Sequence, residues 1–536
     1  MFDLSAPTVL DRAIEWVAPV YARRRLHARA AMSLYRTMAP GMGGHEAGRT
    51  DSPELRDWMP SATDADGDTL PDLSLIRART RDMARNEPLA AGAQNTTVTG
   101  VVGSGIAAKP APDRTALGLS DREADRWESR ARLWWEAWAE STACDLEGEL
   151  DFYALQDLTF RSVLESGDVL TLHRWRDDRG TPTGTRIQLV EADRISTPRG
   201  RPESSNLRAG VETDPDGRTV RWYVADHYPQ DAVGLAPTSG NWTAVDPYWP
   251  DGTRRGWLLY FRRRIGQRRG VPYLAPIVRP MRTLGRYTQS ELMAALASSL
   301  FTVFIRSERG DTMDSLDALA AGDIGPGPGG SERSLRLGHG LIAELEPGES
   351  IESFNPNRPN VAFDAFVTSI QRQMGVALEL PFEVLTKHFA SSYSASRAAL
   401  LEAWRFFRHR REWMVANFCD PAYGAVIAEG VRTGFLEAPG FFRDPLIRRA
   451  WLGCQWAGDS MPQLDPLKEV KAAEARVAGE FSTREREAME LTGTDWEQNH
   501  RQREKEERYR RAAGLAAPVL EGDPLPTPDP ETEVEA

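Results

Sequence analysis

The longest apolar run in the 536-residue chain, "LMAALASSLFTVFI" at 292–305, lies between Glu291 and Arg306. A membrane-spanning helix needs about 20 apolar residues. The run is therefore expected to be part of a buried helix, read here from 279 to 305. Much of its surface is small: Ala294, Ala295, Ala297, Ser298 and Ser299. Such positions let neighbouring helices approach closely. A block rich in Gly and Pro follows at 306–360 ("GDIGPGPGG") and ends in strand-like "GLIAELEPGESIESFNP". Helix resumes at 361–378, with Phe363, Phe366, Ile370 and Met374 on one stripe. Two helices joined by a compact insertion form a stalk with a tip. Repeated around a ring, the stalk would line a channel. Inside a globular enzyme it would be an ordinary helical hairpin, and the residue pattern fits both.

The stalk is followed by "LPFEVLTKHFASSYSASRAALLEAWRFFRHRREWM" at 380–414. Its centre, from His388 to Ser394, is polar and small. A helix is expected from about Ala395 to Asn417, with Ser392 or Ser394 placed to cap it. Arg405, Arg408, Arg410 and Arg411 fall on more than one face of that helix. Intersubunit or solvated ion pairing with an acid-rich chain of net charge -12 is the expected role, with DNA contact the other reading.

Elsewhere, residues 12–38 read as a helix, 39–68 as a Gly/Asp/Ser-rich loop or arm, and 72–98 as a helix. That helix leads into strand-like "NTTVTGVVGSGIAAKPAP". At 121–140, Trp127, Ala131, Trp134, Trp135 and Trp138 share a broad face, expected to be core. A further helix covers 151–166. Strands are read in "DVLTLHRWR", "RIQLVEADRIS", "GWLLYFRRR" and a hairpin, "GVETDPDGRTVRWYVADHY", turned by Asp216-Gly217. Helices are expected at 423–435, 444–457 and 466–479. The class is α+β and mainly helical. Residues 512–536 carry acids and prolines without Lys or Arg, a composition that does not bury enough apolar surface to fold alone.

Composition narrows the function. A negative chain is a poor sequence-independent DNA binder over its whole surface. Cys144, Cys419 and Cys454 are far apart, so neither a zinc site nor a disulfide framework is suggested. No basic stretch followed by an apolar core opens the sequence, so a soluble, cytosolic product is expected. "GVVGSGIAAKP" at 100–110 places Ala108 and Pro110 around Lys109, where a phosphate loop needs GK followed by Ser or Thr. Gly103, Gly105 and Ala108 fit GxGxxG/A spacing, but Pro110 and Pro112 oppose the helix that motif must open. A Gly-bearing turn is the plainer reading. Asp64, Asp66 and Asp68 resemble a calcium loop, yet Thr69 and Leu75 stand where Gly and Glu are required. No catalytic motif, metal site or cofactor site is expected. A nucleic-acid translocase with its own ATPase would need the nucleotide loop that these residues lack.

The segments "RRGVPYLAPIVRPMRTLGRYTQSELMAALASSLFTVFI" and 380–414, with "RNEPLAAGAQNTTVTGVVGSGI" and "FRRRIGQRRGVP", resemble the portal proteins of lambda-type tailed bacteriophages. The likeness runs in order from about residue 15 to 480, and SYSASRAALLEAW is its most specific piece. One departure is Lys387-His388, where many relatives carry an acid.

The resemblance implies a portal fold assembled as a homo-oligomeric ring of about twelve subunits at one capsid vertex of the virion. Double-stranded DNA would pass through the ring during packaging and ejection. Residues 1–270 would be the wing, 271–305 the first stem helix, 306–360 the clip, 361–378 the second stem helix and 379–395 the tunnel loop. Residues 396–490 would be wing and crown, and 491–536 a charged helix and a disordered tail. The clip would meet the terminase large subunit, then the head–tail connector. Major capsid and scaffold proteins are further implied partners, and no membrane is. Lys387, His388, Ser391, Ser392, Tyr393 and Ser394 would lie beside DNA. Ala294, Ala295, Ala297, Ser298, Phe363, Phe366 and Ile370 would pack stems between subunits. A capsid or tail adaptor ring without a DNA channel is the other structural reading.

Overall fold

The computed structural model describes residues 47, 52–177, 180–228, 241–250, 252–300, 304–307, 349–352, 362–390, 392–460 and 466–514. The chain divides into two compact units, Met1–Asp68 and Thr69–Ala536. The acidic stretch expected as loop opens helix α1 (Ala65–Asn86) instead, with Asp66 and Asp68 in its first turn. Carboxylates are favoured there by the helix dipole.

The single helix expected at 72–98 breaks at Glu87, which is extended (φ -108°, ψ 110°) ahead of Pro88. Proline then opens α2 (Pro88–Val101), where its missing N–H costs nothing. This corrects the strand reading of "NTTVTGV". The β-branched residues there favour strand, but α2 buries Ala90, Ala93, Thr97, Val98 and Val101 along one face, and packing overrides propensity. Gly103 and Gly105, at φ +61° and +118°, make the turn into the true strand, β1 (Ala107–Pro110).

Helices α3 (Asp121–Ala139) and α4 (Phe152–Ser166) fall where periodicity places them. The tryptophan face of α3 is core: Trp135 packs against Phe152 and Trp138 with ring centroids 5.0 and 5.1 Å apart. The Trp134 and Trp138 indoles donate to the Val426 and Thr185 carbonyls at 2.9 and 2.8 Å. Each such ring contributes roughly 1.5–3 kcal/mol by leaving water.

Two antiparallel sheets follow, built from β2 (Asp168–Trp175), β3 (Thr185–Glu191), β4 (Leu207–Arg208), β5 (Val211–Thr213), β6 (Thr219–Ala225), β7 (Trp242–Val245) and β8 (Gly256–Tyr260). Their orders are β3-β2-β8 and β4-β5-β6-β7. Strand β3 stops at Glu191, short of the expected "ADRIS", because Ala192–Arg194 closes a 3-10 turn. Side chains of β2 alternate: Val169 joins the helical core, while Leu170 and Leu172 meet Val190, Val211, Trp222 and Val245 in a second core.

Helix α5 (Val278–Leu300) ends before the expected 305. Phe304 and Ile305 belong to β9 (Phe304–Ser307), which pairs antiparallel with β10 (Glu349–Glu352), Ile305 opposite Ile351. Helix α6 (Phe363–Ala377) then returns. The expected loop at 379–395 holds a short helix, α7 (Phe382–Thr386), and the start of α8 (Tyr393–Met414), which leaves 387–392 as loop. A π-helical turn, Val415–Cys419, carries α8 into α9 (Asp420–Arg432).

The helix expected at 444–457 divides into α10 (Pro445–Trp451) and β11 (Cys454–Ala457). Strand β11 pairs antiparallel with β1, Ala107 opposite Ala457. Helices α11 (Pro466–Ala478), α12 (Arg484–Thr492) and α13 (Trp496–Ala512) complete the described chain. The expected helix at 12–38, most of 306–360 and residues 515–536 lie outside the described residues.

Candidate functional site

The loop at 387–392 is held at both ends. Leu380 donates its N–H to the Gly375 carbonyl at 2.9 Å, folding the chain back from α6. A Cβ at Gly375 would stand 2.7 Å from the Leu380 oxygen, so the reversal requires glycine there. The Tyr273 hydroxyl donates to the Leu378 carbonyl beside it. Glu379 and Lys387, at φ +56° and +54°, are both left-handed and bracket α7. At Lys387 this conformation ends the helix, and the His388 N–H reaches the Glu383 carbonyl at 3.1 Å. At the far end Ser392 caps α8: its hydroxyl accepts from the Ala395 N–H at 3.4 Å.

Between these anchors Lys387, His388 and Ser392 are exposed, and so are Tyr393 and Ser394 in the first turn of α8. Ser391 lies outside the described residues. Phe389, 48 % exposed, also projects from the loop. The described loop thus presents one Lys, one His, hydroxyls and two aromatic rings, and no carboxylate.

Helix α8 is fixed to the body by the arginines that its sequence leaves ambiguous. Arg411 donates to the Val101 and Gly100 carbonyls at 2.9 and 3.2 Å and to the Asp459 carbonyl at 2.9 Å. It thereby caps the C-terminal end of α2, where a cation is favoured. A Cβ on Gly100 would stand 2.5 Å from the Phe407 ring, so the approach of α2 to α8 depends on that glycine. Arg410 lies 4.2 Å over Phe261 and pairs with Glu379 at 3.1 Å. Arg405 and Arg408 pair with Glu402 and Glu412 on the helix surface. The expectation of ion pairing holds for Arg405, Arg408 and Arg410; Arg411 holds backbone carbonyls.

Helices α5 and α6 pack through Tyr287, whose ring lies 5.6 Å from Phe363 and 5.0 Å from Phe366. Phe363, Ile370 and Ala294 are half-buried, Ala295 is exposed, and the side chains of Ala297 and Ser298 lie outside the described residues. Phe366, expected to pack stems, is 48 % exposed; the sequence reading missed other large apolar groups, Leu292, Met293 and Leu296 at 50–61 % exposed and Val376 at 81 %. It also missed Arg279, Arg282 and Arg286, exposed on α5. Their i, i+3, i+7 spacing, readable in "RPMRTLGR", places them on one face.

Among the described residues no helix is long and apolar enough to cross a membrane, and no His, Cys, Asp and Glu group could hold a metal ion.

Along the chain the order is helix, paired strands, returning helix, capped loop and long arginine-bearing helix. The family model "Phage portal protein, lambda family" matches residues 51–411, and the chain belongs to that family. Portal protein B of Escherichia phage lambda is 26 % identical over 495 residues, covering 89 % of this chain and 91 % of that protein. The portal protein of Escherichia phage N15 is 25 % identical over 501 residues, covering 89 % and 92 %. Among solved structures, a chain in the neck of a native GTA particle with C12 symmetry is 11 % identical at a TM-score of 0.41, covering 78 % of this chain and 93 % of that one.

Proposed function

We propose that the chain forms a ring-shaped portal at one capsid vertex, a channel through which double-stranded DNA enters and leaves the particle. The single observation that carries this reading is the pairing of β9 with β10. It brings the chain back to its starting point across 308–348 and joins α5 to α6 as outgoing and returning arms. In this reading α5 and α6 are the stem, 306–360 the clip that meets terminase and later the head–tail connector, and 387–392 the tunnel loop.

A loop beside moving DNA must not grip it. Lys and Arg contacts to phosphate dominate DNA affinity, and many of them would stall translocation. The hydroxyls of Ser392, Tyr393 and Ser394 make exchangeable contacts without sequence information. Lys387 and His388 add limited attraction. The arginines of α5 are further phosphate-facing candidates. The exposed apolar residues of α5 and α6 would be covered by the stems of neighbouring subunits. The channel acts without catalysis of its own; ATP hydrolysis belongs to the terminase.

Negative-stain electron microscopy of the purified chain tests the reading. Rings of about twelve subunits with an axial hole wide enough for duplex DNA, about 20 Å, are expected. Closed particles lacking a hole under every assembly condition, capsid and scaffold proteins included, would overturn it.

A further inference from the structure

A cavity of about 450 Å³ lies between the three-stranded sheet and helices α9 and α10, far in sequence from the loop at 387–392. Arg174, Arg254, Arg432 and Arg448 line it, with Trp175 and Trp249. Arg174 donates to the Gln188 side chain at 2.8 Å. The other three lie over aromatic rings: Arg254 over Trp257 at 5.0 Å, Arg432 over Phe442 at 5.8 Å and Arg448 over Phe441 at 5.3 Å. No carboxylate among the described residues pairs with any of the four. Among the described lining residues the one acid, Glu429, is committed elsewhere: its oxygens accept the Gly184 N–H and, at 3.0 Å, the Thr185 N–H.

Next to Arg254, Arg255 stacks on Trp249 at 4.4 Å and buries its Nε without a hydrogen-bond partner. Burial lowers the Arg174 pKa, and the Arg255 charge lowers it further. A protein of net charge -12 thus gathers guanidiniums here without a paired carboxylate among the described residues. Beside them Trp175 and Trp249 expose 59 % and 39 % of their surface.

An occupant of this cavity must supply carboxylates or other anions on an extended chain, with apolar faces that lie flat on indole rings. The sequence contains such a segment. Glu521, Asp523, Asp529, Glu531, Glu533 and Glu535 alternate with Pro524, Pro526, Pro528 and Pro530, and 515–536 has no Lys or Arg. Carboxylates match the guanidinium fork. Proline-rich chains dock on aromatic grooves at low entropic cost because they are already extended. At ~3.1 Å per residue, the residues after Gly514 reach roughly 70 Å. We propose that segment 521–535 of this polypeptide docks in the arginine–tryptophan cavity. The proposal is independent of the channel reading.

The test uses full-length protein and a full-length variant with the six acids replaced by Asn or Gln. These acids lie outside the described residues. In hydrogen–deuterium exchange, residues 246–256 are expected to exchange several-fold faster in the variant. A fluorescent peptide of residues 515–536 should then bind the variant. Its affinity should fall about 10-fold or more between 50 and 200 mM salt, and should be lost when exposed Arg254 and Arg432 are also changed to Glu. Unchanged exchange, or peptide binding indifferent to the arginine replacements, would overturn the proposal. So would a single-stranded oligonucleotide that binds at these arginines in the full-length protein with its acids intact, which would make the cavity a nucleic-acid site.

Discussion

Arg269 grips Asp168 at two points, Nε on Oδ2 at 2.7 Å and Nη2 on Oδ1 at 2.9 Å, where the side chains are 1 % and 0 % exposed. Arg77 of α1 adds a third contact at 3.0 Å, and the Gly270 N–H a fourth at 2.9 Å. The remaining Arg269 donors reach the Ile195, Ala209 and Ala192 carbonyls. One carboxylate thus joins α1, β2 and the segment that leads into α5. Removing Arg269 takes the two-point partner from a fully buried carboxylate and leaves it to Arg77 and one amide, a loss of about 3–5 kcal/mol. Arg269→Ala is expected to lose that much in urea unfolding. Arg269→Lys should recover only part of it, because an ammonium does not reproduce the fork.

The same cluster sets an acid limit. Burial alone would raise the Asp168 pKa, but Arg269, Arg77 and the Gly270 amide hold it below 3.8. The unfolded chain therefore takes up this proton first as pH falls. The cluster's contribution is complete above about pH 4 and is lost as pH drops through the lower native value. Asp168→Asn should remove that part of the acid transition in a pH series of unfolding midpoints.

His173 works in a higher window. Burial against Trp257 pushes its imidazole down from 6.5 to about 4. It is neutral in the native protein, and the unfolded chain binds its proton from about pH 6.5 downward. Stability should fall between pH 6.5 and 4, by at most about 3 kcal/mol, and change no further from this source below that. His173→Phe is expected to flatten this slope in thermal unfolding; an unaltered slope would assign it to another group.

Lys387 separates conformation from charge. Its left-handed backbone costs about 1 kcal/mol in any residue with a Cβ. Lys387→Gly should raise stability by about that amount, and Lys387→Ala should leave it near the starting value. If the loop lies beside DNA, both variants should package DNA at near-normal rates. Ser392→Arg or Ser394→Arg should slow packaging with a steep salt dependence, measured on assembled particles.

The arginine that ties α8 to α2 is a further test. Arg411→Gln leaves the Val101, Gly100 and Asp459 carbonyls short of charged donors and is expected to cost about 1.5–3 kcal/mol. Gly100→Val should cost at least as much, since the Phe407 ring cannot move within the core. Chemical unfolding of each variant checks both values.

The parts of this fold that were legible in the sequence are those in which one residue pattern decides. The tryptophan stripe of α3, the Asp-Gly turn between β5 and β6 and the stripe of α6 are of that kind. The failures lie where a distant partner decides. "NTTVTGV" has strand composition and becomes helix because Phe407 and Arg411, some 300 residues later, pack on it and cap it. "CQWA" sits in a helical context and becomes strand because β1 offers it an edge. Of the loop, its polarity and its cap at Ser392 were readable. The left-handed turns at Glu379 and Lys387 were not, because neither residue is of a type that favours them.

The ladder between β1 and β11 also sets a schedule for synthesis. Ala107 waits for Ala457, about 350 residues downstream, before its edge is paired. At a ribosomal rate of about 5–20 residues per second that is an interval of roughly 20–70 s. Through it the β1 edge stays unpaired, and Trp135 lacks the Trp456 ring that closes over it at 5.8 Å. The nascent chain is then most exposed to premature self-association. Emergence of β11, and not of α5 and α6, completes the packing around Trp135.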